Sequence, residues 1–289
     1  MISIIVTDYL RKIYILNALK SIKEQKGIKL NDLELVVVKY YKDKNIDNYI
    51  NSFPNHKNIT LNPNGPHHVG YTDAIGLERA SSDIIFFCED DDYFAKYKLN
   101  KILDYIKFIK GNNYGVLHKQ IAFLDNDSQN TKSKINYERC PWHNLSSWVL
   151  KIDDEAKKRL IRLYQKTYFA TDWALYYFFT RFYKLYRMED RLTYLRIHSN
   201  NTSLIRNKEK SRGYIKDYER LYSIFKDRRL KKWLWNEKLF SNVEFDSKYA
   251  VGIRDMPFGL KYVIKYTLYK LNKPLFKKIL KEENDICAF

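Results

Sequence analysis

A short apolar run in the first half of the chain ends at four consecutive carboxylates, Glu89, Asp90, Asp91 and Asp92. The run, residues 84–88, is bounded by polar residues and predicts a strand covered on both faces of a sheet. Open α/β sheets bind ligands beyond the carboxyl ends of such strands. Carboxylates crowded at one strand end disfavour one another's ionisation unless they share a cation, and Mg²⁺ or Mn²⁺ with oxygen ligands meets that need. The cluster therefore predicts a divalent-cation site for a phosphorylated ligand.

The alternative interpretation of the cluster is a solvated acidic turn that caps the following helix. The elements around it favour the ligand site. Apolar strands alternate with amphipathic helices through the first hundred residues, which predicts an α/β fold: a mainly parallel sheet flanked by helices. The predicted strands are 2–6, 33–38, 59–61 and 84–88, and the predicted helices are 11–26, 47–53 and 71–80.

The pattern continues less regularly after the acidic cluster. Periodicity predicts helices over 96–110 and 171–181 and a last strand over 192–197, which ends at His198. The segments 114–124 and 145–152 are strand-like, and a polar connection separates them. The first hundred residues are therefore typical of a nucleotide-binding α/β half, and the full length allows one large or two modest domains.

Composition indicates a globular protein with an anionic partner. Of 289 residues, 45% are hydrophobic and 30% are charged, and the formal net charge is +18. Such a charge favours nucleic acid, an acidic membrane surface or a phosphorylated substrate as partner. The three cysteines are far apart, which suggests neither a disulfide framework nor a zinc site. Without a signal-peptide pattern or an apolar run long enough to span a bilayer, we expect a cytoplasmic protein, with peripheral attachment to the cytoplasmic face of a membrane as an option.

Several short motifs follow one another along residues 1–204. They are Ser3-Ile-Ile-Val-Thr7 with Arg11, Leu33-Glu-Leu-Val-Val-Val38, Ala74-Ile-Gly76, Phe87-Cys-Glu-Asp-Asp-Asp92, Ser146-Ser-Trp-Val149, Thr171-Asp-Trp-Ala-Leu175 and Arg196-Ile-His-Ser-Asn-Asn-Thr-Ser203. In this order they resemble the family 2 glycosyltransferases, which have the GT-A (Rossmann-like) fold and transfer sugars from nucleotide diphosphates with inversion. No single motif is specific, but the full order is.

The resemblance assigns roles to individual residues. It implies that Asp91 is the chief ligand of a Mn²⁺ or Mg²⁺ ion, with Asp92 and His198 supporting it. Glu89 and Asp90 are similar to residues that contact the ribose or lie behind the metal. The nucleotide of a nucleotide-diphosphate sugar is then expected to meet Thr7, Asp8, Arg11 and Tyr40.

On the acceptor side, Asp172 resembles the catalytic base of the family, which removes the proton from the acceptor hydroxyl. By itself a lone acid near a helix start is more typical of a cap. One departure from the family pattern concerns the end of the second strand, where an acidic pair is common and this chain has Lys39-Tyr40-Tyr41. We therefore expect a different base-binding pocket, in which Asp8 or Tyr40 replaces the acidic pair.

The predicted domains are a GT-A domain over 1–205 and a basic, aromatic helical region over 206–289. The first divides into a nucleotide-sugar half, 1–95, and an acceptor half, 96–205. The C-terminal region holds 21 basic and 11 acidic residues and so carries +10 of the net charge. Within it, residues 258–281 predict an amphipathic helix whose stripe, Leu260, Ile264, Leu268 and Leu271, is flanked by Lys261, Lys265 and Lys270. That helix either lies on an anionic membrane or packs on the protein with its lysines in solvent.

The sequence thus predicts a metal-dependent, inverting glycosyltransferase that acts on a saccharide or lipid-phosphate-linked acceptor. One alternative is a sugar-phosphate nucleotidyltransferase, but the segment after the first strand lacks the glycine-rich phosphate loop which that class needs. Another is a basic nucleic-acid-binding protein, since the C-terminal region interleaves basic and aromatic residues. Four clustered acids are unsuited to a groove that binds nucleic acid, so we expect no nucleic-acid partner.

Overall fold

The computed structural model describes residues 1–8, 12–124, 144–198, 207–245, 247–251, 256–257 and 260–271. The chain divides into two compact units. The first comprises residues 1–167 and 171–198, and the second comprises residues 168–170 and 199–289. Arg11, the polar connection 125–134 and the ends of the segment 258–281 lie outside the described residues.

The first unit is built on an open sheet of eight strands in the order β3-β2-β1-β4-β7-β6-β8-β5. The strands are β1 (Ile2–Asp8), β2 (Leu33–Lys39), β3 (His56–Thr60), β4 (Ile84–Glu89), β5 (Tyr93–Phe94), β6 (Tyr114–Leu124), β7 (Trp148–Lys151) and β8 (Lys184–Ile197). The helices are α1 (Lys12–Lys23), α2 (Lys44–Asn51), α3 (Val69–Arg79), α4 (Lys98–Ile106), α5 (Asp154–Tyr164) and α6 (Thr171–Phe182).

Strand direction sets which ends meet at each edge of the sheet. The pairings β3-β2-β1-β4 and β6-β8 are parallel, whereas β7 is antiparallel to both β4 and β6. Strand β8 therefore points the same way as β4. The predicted α/β class is confirmed, with β7 and β5 as reversed strands in a mixed sheet.

Two predicted strands differ from the observed ones for identifiable reasons. Strand β8 begins eight residues before the predicted strand. It does so because it pairs with β6 along the whole length of β6, and the pairing continues across a register shift at His118 and Lys119. The segment 145–152 opens with a 3₁₀ turn, Leu145–Ser147, before β7 begins. The early part of β8 is only partly buried, and its residues are therefore of mixed polarity. Apolar residues do not alternate regularly there, so the two-residue period does not reveal the strand.

Apolar side chains of β1 and β2 pack on helices at both faces of the sheet. On one face, Ile4 and Val6 contribute to a core with Ile15 and Leu19 of α1. On the other face, Gly76 of α3 lies so close to β1 that a Cβ there would overlap the side chain of Ile5. This close approach brings the middle of α3 against the middle of β1.

The second unit contains the helices α7 (Lys208–Phe225), α8 (Arg228–Glu244) and α9 (Leu260–Leu271). Lys226 adopts a left-handed conformation after α7, and Asp227 caps α8. Asp217 of α7 is buried and accepts hydrogen bonds from the backbone N–H groups of residues 168, 169 and 170, at 2.8, 2.8 and 3.0 Å. Among the described helices, none is both long enough and apolar enough to cross a bilayer.

Helix α9 faces the interior of the second unit with a different side from the predicted stripe. Tyr262 packs edge-on against Trp235 of α8, at 5.8 Å between ring centroids. Lys265, which both alternatives place beside the stripe and toward solvent or headgroups, is 5% exposed, while Ile264 and Leu271 of that stripe are 51% and 81% exposed. Tyrosines thus form the packed face because their large rings bury more surface than the aliphatic residues. Ile264 and Leu271 of the aliphatic stripe therefore remain in contact with solvent.

Candidate active site

The carboxyl ends of β2, β1 and β4 meet at one edge of the sheet and bring most predicted site residues together. In the register of the sheet, Thr7 is opposite Glu89, and Asp8 is opposite Lys39. His198 directly follows β8, which runs parallel to these strands, and so reaches the same edge. The sequence order of the motifs therefore becomes a spatial cluster through strand direction alone.

The acidic turn after β4 is buried and held by polar contacts. Asp90, Asp91 and Asp92 are each less than a tenth exposed. The backbone N–H of Glu89 donates to the hydroxyl of Ser146 at 2.8 Å, which fixes the start of the turn. These contacts define one conformation for four adjacent acids, a conformation that charge repulsion would otherwise oppose.

Asp92 receives hydrogen bonds on both of its carboxylate oxygens. The backbone N–H of Arg196 donates to Oδ1 at 3.2 Å, and the side-chain amide of Asn144 donates to Oδ2. The guanidinium of Arg196 donates to the backbone carbonyl of Asp91 at 3.2 Å and stacks over the ring of Tyr14 at 4.7 Å. Asp92 therefore ties the acidic turn to β8.

Asp91 pairs with His198 across the sheet edge. The distance between Asp91 Oδ2 and His198 Nε2 is 3.1 Å, and both side chains are buried. The imidazole also packs on Tyr14, at 4.5 Å between ring centroids. A carboxylate oxygen and an imidazole nitrogen at this distance fit two positions around a divalent cation such as Mn²⁺.

Side chains of the described residues do not by themselves complete a metal coordination shell at this edge. Within the described ranges, no group of three or more His, Cys, Asp or Glu side chains is arranged to hold a metal ion. Mg²⁺ and Mn²⁺ usually bind through one or two protein carboxylates, with substrate phosphates and waters as the other ligands. The donor set of Asp91 and His198 thus fits an ion that arrives with a diphosphate.

A buried lysine lies beneath the turn. The ammonium of Lys98 donates to the carbonyl of Ser146 at 2.6 Å and to the hydroxyl of Thr193 at 2.9 Å, and it lies 3.5 Å from the centre of the Phe94 ring. Burial lowers the pKa of Lys98 to about 7, against the opposing charge of Asp92. Lys98 therefore supports Ser146, the residue that fixes Glu89, from beneath the acidic turn.

The end of β2 differs from the family pattern in a way the structure explains. Lys39 is fully buried, and its ammonium contacts the carboxylate of Asp47 at 2.9 Å and the hydroxyl of Thr60 at 3.1 Å. Lys39 thus stabilises the sheet, and its ammonium does not point toward a ligand. The phenol of Tyr41 donates to Asp8, which turns Tyr41 toward the candidate nucleotide end.

Tyr40 anchors the loop that precedes α3. Its hydroxyl donates to the carbonyl of Pro66 at 2.6 Å and lies 3.2 Å from the hydroxyl of Thr72. Its ring stacks on His67 at 4.5 Å between centroids. His68 caps α3 by accepting a hydrogen bond from the backbone N–H of Tyr71. The loop is therefore fixed at the same sheet edge as Thr7 and Asp8.

Asp172 lies in the first turn of α6, away from the acidic turn in sequence. Its Oδ1 accepts a hydrogen bond from the backbone N–H of Trp173 at 2.8 Å, and its side chain is partly exposed. The charge of Asp172 acts on Asp73 of α3 and on Tyr164 of α5, and so these three side chains share one region of the first unit. A partly exposed carboxylate at a helix start is accessible to an acceptor.

Sequence reasoning missed Tyr41, Lys98 and Asp73. A lysine or aspartate inside a helix normally predicts a solvated position, and only the packing of α3 and α4 on the sheet makes these two side chains buried. No signal in the sequence marks them.

Comparison with known proteins places the chain in a family. The profile described as "Glycosyl transferase family 2" matches residues 3–195. The chain therefore belongs to glycosyl transferase family 2, and it is a glycosyltransferase. The resemblance inferred from the motif order is confirmed. A search of proteins with curated functions gave no match.

Solved structures confirm the GT-A fold. Residues 1–349 of S. aureus TarS, in complex with UDP-GlcNAc, share 18% identity, with 84% of this chain and 74% of that chain covered and a TM-score of 0.55. The mannosyltransferase PcManGT from Pyrobaculum calidifontis, in complex with GDP-Man and Mn²⁺, shares 12% identity, with 99% of this chain and 74% of that chain covered and a TM-score of 0.53. At such identities the likeness is one of fold.

The contacts of Asp92 generate a prediction about stability. Asp92→Ala should lower the free energy of unfolding by about 1–3 kcal/mol, because it removes the acceptor of two hydrogen bonds inside the protein. Urea denaturation measures the change. Asp104→Ala is the matched control, since Asp104 makes an exposed ion pair with Lys107 in which both side chains are more than half exposed. Equal stability of the two variants would contradict a structural role for Asp92.

Proposed function

We propose that the enzyme transfers a sugar from a nucleoside-diphosphate donor to a hydroxyl of a saccharide or lipid-phosphate-linked glycan, with inversion and with the help of Mn²⁺ or Mg²⁺. The observation that carries the proposal is the pairing of Asp91 with His198 at 3.1 Å, at the edge where β1, β2 and β4 end. Family membership favours this chemistry over the nucleotidyltransferase and nucleic-acid-binding alternatives.

The donor half is proposed to be residues 1–95 with His198. Asp91 and His198 would hold the cation, and Asp92 would support the turn that carries Asp91. When bound, the cation supplies positive charge that stabilises the diphosphate leaving group. The bound UDP-GlcNAc of TarS and the bound GDP-Man and Mn²⁺ of PcManGT support a nucleotide-sugar donor.

The nucleoside is proposed to lie along the ends of β1 and β2. Glu89 and Asp90 would accept hydrogen bonds from the ribose, because their carboxylates follow the strand next to β1. The rest of the nucleoside would contact residues at the same edge, Thr7, Asp8 and Tyr40. The family resemblance implies Arg11 as a further contact. The hydrogen bond from Tyr41 to Asp8 supports Asp8 as a fixed acceptor there.

Asp172 is proposed as the general base of the acceptor half, residues 96–205. It accepts the proton of the acceptor hydroxyl while that oxygen attacks the anomeric carbon from the face opposite the diphosphate. A single displacement of this kind inverts the anomeric centre. The placement of Asp172 on α6, separate from the acidic turn after β4, supports two carboxylate groups with distinct tasks.

The metal role of Asp91 leads to a second prediction. Asp91→Asn should reduce the Mn²⁺-dependent turnover of the donor nucleotide sugar by roughly 10²-fold, because it removes a charged ligand of the cation. Nucleoside diphosphate release, measured against Mn²⁺ concentration, reports the loss. Asp83→Asn alters an exposed acid before the same strand and should behave as wild type. Unchanged metal dependence in Asp91→Asn would exclude the role.

The base role of Asp172 leads to a third prediction. Asp172→Asn should still bind the donor but lose transfer by about 10²–10⁴-fold, since an amide cannot take the proton of the acceptor hydroxyl. Calorimetric donor binding and product formation separate the two effects. Asp154→Asn, in the first turn of α5, is the control for a helix-start aspartate outside the site. Retained transfer in Asp172→Asn would rule the base out.

The exposed face of α9 is proposed to contact an anionic membrane. Ile264 and Leu271 are exposed beside Lys270, whose ammonium lies over the rings of Tyr266 and Tyr269 at 5.6 and 5.7 Å. Apolar side chains next to fixed positive charge suit a layer of acidic headgroups. Such contact would bring the enzyme to a lipid-phosphate-linked acceptor.

A fourth prediction follows from this face. The double variant Ile264→Glu/Leu271→Glu should weaken binding to vesicles that contain acidic lipid by about tenfold or more, because both apolar contacts are lost and two negative charges are added. Co-sedimentation measures binding. Phe108→Glu changes an exposed aromatic residue of the first unit and serves as control. Equal binding of the double variant and the control would remove the membrane proposal.

A further inference from the structure

A short turn before β7 contacts the acidic turn after β4 at two points. This supporting turn comprises residues 144–147. The hydroxyl of Ser146 accepts a hydrogen bond from the backbone N–H of Glu89 at 2.8 Å, and the side-chain amide of Asn144 donates to the carboxylate of Asp92. The supporting turn therefore holds the first and the last residue of the run of four acids.

The supporting turn is itself anchored from two other elements. Lys98 of α4 donates to the carbonyl of Ser146 at 2.6 Å. The hydroxyl of Ser147 lies 2.8 Å from the side-chain carbonyl oxygen of Gln120 in β6 and 3.0 Å from that of Asn144. Lys98, Ser146 and Ser147 are fully buried, so these contacts are shielded from water.

Lys98 also joins the supporting turn to β8. Its ammonium donates to the hydroxyl of Thr193 at 2.9 Å, and that hydroxyl donates to the same carbonyl of Ser146 at 3.0 Å. The three groups form a closed triangle, and all three residues are fully buried. His198 directly follows β8. Lys98 thus links the strand that leads to His198 with the turn that holds the acids.

Packing alone does not account for a lysine at this position. An ammonium that is removed from water loses hydration free energy, and the two acceptors that Lys98 reaches are neutral, a carbonyl and a hydroxyl. The ring of Phe94, whose centre lies 3.5 Å from the ammonium, adds a cation–π contact. An apolar side chain of similar length would fill the same space without the loss of hydration. The lysine therefore points to a task beyond the filling of space.

We propose that Lys98 is a positioning residue for the binding of the nucleotide-sugar donor. It holds the supporting turn against β8, and in this way it fixes the acidic turn with Asp91 beside His198 before the donor binds. The inference rests on the proposed function, in which a cation and a diphosphate bind at these two residues. Because a preorganised site needs less ordering on binding, loss of Lys98 should weaken metal-dependent donor binding.

The first test concerns the order of the acidic turn and does not depend on catalysis. Lys98→Met keeps a long unbranched side chain and removes its hydrogen bonds. In the ligand-free enzyme, the backbone amide of Glu89 should exchange hydrogen for deuterium about tenfold faster in Lys98→Met than in wild type, because Ser146 is held less firmly. Lys157→Met is the matched control, since Lys157 donates to the carbonyl of Ala80, before the amino end of β4. Exchange at the wild-type rate in Lys98→Met overturns the proposal.

The second test measures nucleotide binding by calorimetry, with UDP and GDP as probes, each with and without Mn²⁺. In wild type, Mn²⁺ should tighten the binding of at least one probe. Lys98→Met should reduce that gain in affinity roughly tenfold and leave metal-free binding nearly unchanged, because only the turn that carries Asp91 loses its support. A general loss of structure would weaken both measurements alike. An undiminished gain in Lys98→Met overturns the proposal.

Two further variants test the path and keep the proposal falsifiable if Lys98→Met fails to fold. Thr193→Val removes one of the two acceptors of Lys98 with little change of shape, and it should reduce the gain by a smaller factor. Ser146→Ala removes the acceptor of the Glu89 amide. The double variant Lys98→Met/Ser146→Ala should be no worse than Ser146→Ala alone, because both changes act on the same contact. A wild-type gain in Thr193→Val and Ser146→Ala, or additive losses in the double variant, overturns the proposal.

The outcomes separate the positioning role from the function on which it rests. If Mn²⁺ tightens neither probe in wild type, the proposed cation site is wrong, and the positioning role is overturned with it. If wild type shows the gain, Asp91→Asn loses it and Lys98→Met keeps it, the cation site is supported and only the role of Lys98 is overturned.

Discussion

The structure depends on the placement of several negative charges at one edge of a sheet without enough solvent to screen them. The turn after β4 keeps Asp90, Asp91 and Asp92 buried, and this burial is unfavourable unless positive charge or hydrogen-bond donors reach them. The protein supplies donors to Asp92 and a lysine, Lys98, beneath the turn. Under the proposed function, a cation that enters with a diphosphate would add positive charge at this edge, and donor binding would then be coupled to electrostatic relief.

Strand direction explains why so much of this edge was predictable from sequence. An apolar run followed by acids, as at residues 84–92, predicts the strand and also predicts the end of the strand at which ligands bind. The pairing of Asp91 with His198 needs one further fact, that β8 runs parallel to β4 although β7 is reversed. Motif order within a known family supplies that fact, whereas periodicity does not.

Other parts could not be predicted, because burial in this protein is decided by tertiary contacts. Lys39 stands where the family commonly has an acid, and nothing local reveals that it is bound by Asp47 and Thr60. The same holds for α9, where helical periodicity favours the aliphatic stripe as the packed face. The tyrosine face packs instead, because Trp235 offers an aromatic surface. Sequence pattern identifies an amphipathic helix but cannot decide which face meets the protein when both faces are partly apolar.

The two halves of the candidate site differ in how they handle negative charge. At the end of β4, the backbone N–H of Arg196 and the side-chain amide of Asn144 donate to Asp92, and the side chain of Lys98 lies beneath the turn. Around Asp73, hydroxyls and a second acid replace the donors, and burial favours the protonated form. Under the proposed function, the first region would bind the leaving diphosphate, and the second would lie near the carboxylate that accepts a proton. This division of tasks requires no residue beyond those that the sheet and α3, α5 and α6 already bring together.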